Sequence, residues 1–249
     1  MTTERDEGPL TGRSGLLDAA ADLLLGSSCV GCAAPGRLLC PGCRAGLGGQ
    51  VSVRRPTPCP AGLATPYSAG SYEGALRAMV VGVKERGQRG LLRRLAHLLA
   101  DTVAVALAEV PGGGVAVPVV LVPVPSRPAS VRARGFDPVL VATRQAARLL
   151  SGSLAGGVRA APLLRTRVGV VDQAGLDAVA RRANLSGSMT CPSRGLAGLA
   201  RAAPRAVVVV CDDVLTTGAT AREAQRALGA VGLPVSAIAT VAATARRTP

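Results

Sequence analysis

The chain has 249 residues, 48% of them apolar and 1% aromatic, and its formal net charge is +14. That length and apolar content are enough for one well-filled core and are atypical of a disordered chain. The aromatic side chains are Tyr67, Tyr72 and Phe136, too few for the base-stacking platforms of common RNA-binding and single-strand-binding folds. Lys84 is the only lysine among the cations. We expect such an arginine bias to reflect the base composition of the genome as much as function. The net positive charge nevertheless predicts affinity for polyanions at low salt.

The N-terminal region predicts neither export nor a membrane anchor. Residues 1–15 contain acidic side chains and no apolar stretch of the kind found in secretory signals, so we expect a disordered tail. Leu16–Leu25 has the pattern of a short amphipathic helix and includes Asp18 and Asp22. A membrane span needs about 20 apolar residues. The sequence therefore predicts a cytoplasmic protein.

Four of the seven cysteines form two closely spaced CxxC pairs, and these are Cys29, Cys32, Cys40 and Cys43. Two such turns can place four thiolates around one zinc ion at ~2.3 Å. Residues 26–60 have too few apolar side chains to fold alone, so a bound metal would supply the missing stability. Redox chemistry is the alternative for a CxxC pair. Two adjacent pairs favour a closed zinc site with a structural or docking role.

Further along the chain, strand patterns alternate with helix patterns. Residues 56–66 are predicted to be a linker because of their prolines. The strands are predicted at 119–124, 163–168, 206–211 and 235–243, and the helices at 72–110 with a break near 82–90, 138–150, 178–184 and 219–231. Loops are expected at 111–118, 151–157 and 190–205. This alternation predicts an α/β fold, a parallel sheet flanked by helices. The small N-terminal module would occupy 16–60 and the main domain 61–249.

The clearest chemical signal follows the buried strand Val207–Cys211. Asp212 and Asp213 come directly after it, and a small hydroxyl-rich loop, Thr216–Thr220, leads into a helix. Ligands of open α/β sheets bind at the carboxyl ends of strands. Loop amides and a helix N-terminus favour an anion, while two carboxylates favour vicinal hydroxyls. The combination suits a sugar phosphate, although an acidic residue can also simply cap a strand-to-helix turn.

A second signal follows the strand at 119–124. Arg132 and Arg134 lie in a turn-rich stretch that ends in Gly135. Arginine binds phosphate oxygens with a planar fork, and glycine allows the backbone to approach a bulky anion. A solvated basic loop is the alternative. Asp137 is expected to cap the next helix, with Pro138 in its first turn.

The residues 207–220, VVVVCDDVLTTGAT, closely resemble the PRPP-binding signature of type I phosphoribosyltransferases. The resemblance implies that Asp212 and Asp213 hold the ribose hydroxyls or a neighbouring Mg²⁺. It also implies that the loop cradles the 5′-phosphate, through Thr216, Thr217, Gly218, Ala219 and Thr220. Arg132 and Arg134 would then face the pyrophosphate leaving group, and we expect these two arginines and the two acids to be the catalytic residues.

The order of motifs along the chain resembles the ComF family of bacterial competence proteins, which are related to amidophosphoribosyltransferases. The matching motifs are the Tyr-Glu-Gly-Ala-Leu-Arg segment at 72–77, Lys84, the arginine block, and the segment 173–187. The resemblance implies that Arg181 and Arg182 belong to a loop that closes over PRPP; the alternative is a surface helix with two solvated arginines. As the one lysine of an arginine-rich chain, Lys84 is predicted to contact the anionic ligand. The chain departs from the family at Asp137 and Pro138, where Asn and Gln are usual.

Two functions follow as expectations. The first is a Mg²⁺-dependent phosphoribosyltransferase that transfers phosphoribose from PRPP to an acceptor, in association with DNA uptake. The second is a non-catalytic accessory module that binds a nucleotide or single-stranded DNA and a partner of the DNA-uptake machinery. The sequence carries no motif that identifies the acceptor.

Overall fold

The computed structural model describes residues 27–47, 50–110, 117–167, 187–203 and 205–244. The predicted tail at 1–15, the helix Leu16–Leu25, and the predicted helix at 178–184 lie outside these ranges. So do Arg181 and Arg182. Within the described part, the predicted α/β fold is confirmed, with an N-terminal cluster of four cysteines.

Within the described ranges, the main sheet has six strands: β1 (Ser52–Val53), β2 (Pro66–Ser68), β3 (Val119–Pro123), β4 (Val158–Ala160), β7 (Val207–Leu215) and β8 (Ala237–Ala243). Their spatial order is β1-β2-β8-β7-β3-β4. All neighbours run parallel except β1 and β2. A second sheet pairs β5 (Arg165–Thr166) with β6 (Met189–Thr190) in antiparallel fashion.

Helices cover both faces of the main sheet. They are α1 (Pro41–Ala45), α2 (Gly74–Glu85), α3 (Leu92–Glu109), α4 (Pro128–Arg134), α5 (Pro138–Leu150), α6 (Ser193–Ala202) and α7 (Ala219–Gly229). A short 3-10 turn at 89–91 joins α2 to α3. The sequence predicted a break in the helix near 82–90. None of the helices in the described ranges combines the length and the apolar character that crossing a membrane requires.

The apolar strands divide their side chains between two cores. Val207 and Val209 pack with α2, α3 and α5 on one face. Val208 and Val210 pack with α6 and α7 on the other face. This division follows from the alternation of side chains along a strand that is buried on both sides. The continuous apolar run that predicted a buried strand therefore places alternate side chains in the two cores.

Asp137 caps α5 as predicted. Its Oδ1 accepts hydrogen bonds from the N–H groups of Val139 at 3.0 Å and Leu140 at 3.3 Å. The same carboxylate accepts from the hydroxyl of Ser126 at 2.9 Å and from its N–H at 3.1 Å. Asp137 thus ties the turn after β3 to the start of α5. At this corner, where the chain departs from the ComF pattern, the residue stabilises the local backbone.

The predictions for residues 163–168 and 190–205 differ from the structure, and the strand β4 was not predicted. The strand predicted at 163–168 is reduced to β5, which pairs outside the main sheet, and the adjacent sheet strand is instead β4. The loop predicted at 190–205 contains α6. Two glycines weigh against a helix there, but Leu199 is buried and anchors it in the core. A strand of three residues such as β4 is too short to show a periodic pattern.

A buried acid anchors the small β5–β6 sheet to α7. Glu223 is 4% exposed and accepts a hydrogen bond from the N–H of Met189 at 2.9 Å. Arg226 donates to both carboxylate oxygens of Glu223 and also to the carbonyl of Met189. Both partners of this ion pair are therefore satisfied, as burial of a charge requires.

Candidate functional site

The acidic pair lies inside β7, beyond the end of its neighbour β3. The strand predicted to end at Cys211 continues to Leu215, because β8 pairs with it as far as Ala243. On the other side, β3 ends at Pro123, opposite Cys211. Asp212 and Asp213 therefore stand at the carboxyl edge of the sheet, where β7 has lost one neighbour. The predicted location is right, and only the turn expected at the acids is replaced by strand.

Lys84 contacts the acidic pair directly. Its Nζ lies 2.6 Å from Oδ2 of Asp213, and the two side chains are 37% and 12% exposed. Partial burial opposes the charged form of Lys84, but the Asp213 carboxylate, with Asp212 behind it, raises the pKa of the amine. The sequence predicted that Lys84 contacts an anion. In the structure, that anion is a carboxylate of the chain itself.

Both acids line a small pocket between the sheet and three helices. The walls are apolar and come from α2, α3, α5 and β8: Val80, Val83, Leu95, Leu99, Pro138, Val139, Ala142 and Val241. Lys84, Asp212 and Asp213 supply its charged groups. The carboxylates thus face a hollow with little other polar surface, where their electrostatic interactions are strong.

Asp212 is held in an environment that disfavours its charge. Burial, and then the charge of Asp213, raise the pKa of Asp212 well above its ordinary value, against the opposing effect of Lys84. Its Oδ1 accepts a hydrogen bond from the N–H of Asp213 at 2.8 Å. A half-buried carboxylate with a raised pKa beside a second carboxylate is a frequent sign of a functional site.

We expect Asp212→Asn to stabilise the ligand-free chain at alkaline pH. Because the folded chain holds the Asp212 proton more tightly than the unfolded chain, stability falls as pH rises from about 4 through the raised folded pKa. Asparagine removes this loss, and one kcal/mol corresponds to about 2–4 °C at this chain length. At pH 8 the melting temperature of Asp212→Asn should therefore be at least about 2 °C above that of wild type, and near pH 4 the difference should be smaller. Asp101→Asn, an exposed acid on α3, is the control, and a lower melting temperature at pH 8 contradicts the prediction.

The loop Thr216–Thr220 forms the predicted junction between β7 and α7. Gly218 is the N-cap of α7 with a φ of +72°, a left-handed conformation that favours glycine. Thr217 Oγ1 accepts a hydrogen bond from the N–H of Ala219 at 3.4 Å. Among the described residues, the N–H groups of Thr216, Thr217 and Gly218 find no acceptor. The loop therefore keeps donors at the positive end of a helix, although its residues do not line the pocket.

The two predicted arginines occupy different environments on α4. Arg134 is half-buried, and its Nη1 donates to the carbonyl of Lys84 at 3.1 Å. Its buried Nε has no partner within the described ranges. Arg132 is exposed and makes no ion pair with another described residue. Gly135 ends α4 in a left-handed conformation with a φ of +76°. The structure thus brings Arg134 to Lys84, and leaves Arg132 on the surface nearby.

Arg89 joins this basic cluster and was missed by sequence reasoning. Its Cζ lies 4.5 Å from the centroid of the Phe136 ring, a cation–π contact. Its guanidinium also lies against Gly135. The available signal was the chain's only Phe beside an arginine block, but nothing in the sequence showed which distant arginine would stack on it. Arg89 therefore extends the cationic surface from Lys84 and Arg134.

The four cysteine sulfurs of the N-terminal cluster lie within 4.8 Å of one another. Cys32 Sγ and Cys40 Sγ are 3.6 Å apart, close to the ~3.8 Å expected for two thiolates on a tetrahedral zinc. The N–H of Cys40 points to Cys29 Sγ at 3.3 Å, and that of Cys43 to Cys40 Sγ at 3.4 Å. The predicted ligand set is assembled and could hold a metal ion such as zinc.

Within the cluster, Cys29 loses its proton more easily than an isolated cysteine and Cys43 less easily. Burial opposes ionisation of Cys29, but main-chain N–H groups of Cys40, Cys32 and Gly31 hold its pKa at about 6. Hydrogen bonds with Cys32 and the other sulfurs raise the pKa of Cys43 to about 12. A set that shares protons in this way releases them when a cation binds.

The remaining cysteines lie outside the cluster. Cys211 is buried in β7, as predicted, and Cys191 is also buried. Burial raises the pKa of both thiols, so neither is a reactive thiolate. Cys59 is exposed.

Comparison with known protein families finds no family model that matches this chain, and comparison with curated proteins finds no match either. The coarse architecture, a mostly parallel α/β sheet with an N-terminal four-cysteine cluster, stands on the structure. The ComF resemblance remains a prediction.

Proposed function

We propose that the chain binds a phosphorylated ribose, PRPP, and transfers its phosphoribose to an acceptor. The observation that carries this proposal is the single β7–α7 junction. It presents two carboxylates at the sheet edge and, directly after them, a loop at a helix N-terminus whose N–H groups at Thr216, Thr217 and Gly218 have no acceptor in the described part of the chain. Carboxylates would accept hydrogen bonds from ribose hydroxyls, while the loop would bind the 5′-phosphate.

The cluster of Arg134, Arg89 and Arg132 supports the departure of pyrophosphate in this reaction. In the proposed transfer, the bond between C1 of the ribose and pyrophosphate breaks, and its electron pair leaves on the pyrophosphate. The acceptor's lone pair then bonds to C1, and the acceptor loses its proton. Arg134 and Arg89, with the exposed Arg132, would stabilise the charge that develops on the leaving group.

The acidic pair fits a Mg²⁺ ion, since carboxylate oxygens are donors that this hard cation prefers. Asp212 and Asp213 would hold it, and Lys84 would then have to yield its contact with Asp213. When bound, the cation supplies positive charge beside the hydroxyls and the pyrophosphate. For the cysteine cluster we propose zinc, with the structural role expected of a site closed by four sulfurs.

Calorimetry with PRPP in the presence of Mg²⁺ tests the proposal. We expect saturable binding with about one site per chain, the stoichiometry of a single topological switch point. Pyrophosphate release should follow when the right acceptor is added from a panel of nucleobases, amines and ammonia. Absence of both binding and a melting-temperature shift at millimolar PRPP would overturn the proposal, whereas binding without turnover on any acceptor would reduce it to ligand binding.

A non-catalytic accessory role is the second candidate, in which the chain binds single-stranded DNA and a partner of the DNA-uptake machinery. The net charge of +14 and the exposed arginines Arg89 and Arg132 favour it. The test is DNA affinity as a function of salt, because phosphate contacts give a steep log–log slope. The accessory role predicts that Cys32→Ser abolishes this binding and that Asp213→Asn retains it. The reverse pattern favours the enzyme.

A further inference from the structure

A proline-rich segment, residues 56–64, lies directly on the proposed phosphate loop. A Cβ added to Gly218 would lie 3.0 Å from Pro56 Cγ, 3.2 Å from Leu63 Cδ2 and 3.3 Å from Pro60 Cδ. Gly218 itself is buried. The sequence predicted a linker here, and the chain is indeed irregular, but it is packed against the loop. One side of the loop is therefore a wall built by the chain that leaves the cysteine module.

Helix α7 holds this segment with side chains that reach its backbone. Gln225 Nε2 donates to the carbonyl of Gly62 at 2.8 Å, and Gln225 Oε1 accepts from the N–H of Ala64 at 2.9 Å. Arg222 Nε donates to the carbonyl of Ala61 at 3.0 Å. One neutral amide thus satisfies two main-chain groups, which sets the segment's position relative to the helix that begins at the loop.

Both ends of the segment are tied to the sheet. It leaves β1 and enters β2, and these strands pair with each other, while β2 pairs with β8 next to β7. The segment is therefore a short bridge between the edge of the sheet and α7. A loop backed by such a bridge can take few positions, so less conformational freedom is lost when an anion binds.

We propose that Gln225 and Leu63 are positioning residues for the phosphate loop, Gln225 by fixing segment 56–64 on α7 and Leu63 by packing on Gly218. Neither residue needs to touch the ligand. This inference rests on the proposed function, because it assumes that the loop binds the phosphate of a sugar phosphate.

The test compares ribose 5-phosphate affinity in the full chain and three variants. Gln225→Ala removes both hydrogen bonds to the segment, and Leu63→Ala removes the contact with Gly218 by a different route. Gln145→Ala is the matched control, since this glutamine of α5 makes no hydrogen bond in the described part of the chain. We expect the dissociation constant to rise about 5- to 30-fold in the first two variants, from lost preorganisation. It should change less than about 2-fold in the control, as is usual for a surface substitution.

The NMR signal of a loop amide distinguishes a loss of loop positioning from a general loss of stability. In protein labelled with ¹⁵N-glycine, the Gly218 amide should shift in the Gln225→Ala variant before ligand is added, while melting temperature and bound zinc stay near the wild-type values. Unchanged affinity in both variants, or an equal loss in Gln145→Ala, would overturn the positioning role alone. A wild-type chain that binds neither ribose 5-phosphate nor PRPP with Mg²⁺ would overturn the proposed function itself.

Discussion

Asp213→Asn is expected to weaken binding of Mg²⁺ and PRPP by at least about 30-fold, since losing one partner of a buried, hydrogen-bonded charge contact costs about 2–5 kcal/mol. Asp213 is 12% exposed and carries the only carboxylate that Lys84 contacts among the described residues. Asparagine keeps the shape of the side chain but removes the negative charge. Both the ribose hydroxyls and the divalent cation would lose a strong acceptor. Calorimetry with PRPP and Mg²⁺ measures the change.

The matched control for this variant is Asp101→Asn, which removes an exposed acid on α3 and should leave the affinity unchanged. Lys84→Met gives a second comparison. If the Lys84 contact only competes with the ligand for Asp213, this variant should bind the cation more tightly than wild type. A dissociation constant for Asp213→Asn within 2-fold of wild type, a difference of about 0.4 kcal/mol, would remove the carboxylate from the binding site.

Cys32→Ser is expected to abolish zinc retention. Bound zinc should fall from about one per chain to near zero after dialysis, because a serine hydroxyl is not ionised at neutral pH and cannot replace a thiolate ligand. Cys32 Sγ lies against Cys40 Sγ, so its loss opens the ligand set on one side. Metal analysis of the purified protein measures the change.

The same variant should also loosen the main core. Leu47 belongs to the core cluster that contains α2 and α3, and Val30, Leu38 and Leu39 pack against it. Limited proteolysis should therefore cleave Cys32→Ser within residues 27–47 faster than wild type. Cys59→Ser is the control, since Cys59 is exposed and lies outside the cluster. Equal zinc content in Cys32→Ser and wild type would contradict the metal site.

The local chemistry of several elements could be predicted from the sequence. The run of valines in β7 predicted a strand that is buried on both faces, and in the structure each face packs in its own core. The spacing of the four cysteines was enough to predict their meeting, because each CxxC turn brings its own pair together. Asp137 was predicted as a helix cap because its role involves backbone groups only two and three residues away.

Elements with weak local signals were predicted poorly. The three-residue strand β4 exists because it pairs with β3. The glycine-containing helix α6 exists because its neighbours bury Leu199. The acids were expected after the strand, because the sequence could not show that β8 would extend β7 to Leu215. In each case tertiary pairing overrides a local preference that is small or ambiguous.

By itself the sequence determined the fold class, the cysteine ligand set and the two acids at the end of a buried strand, since these depend on residue type and short spacing. Only the tertiary structure decided that Lys84 contacts Asp213, that Arg89 stacks on Phe136, and that segment 56–64 covers Gly218. The partners in these contacts are far apart along the chain. They meet because the sheet order and the helices packed on it set their positions, and no local pattern of side chains encodes that arrangement.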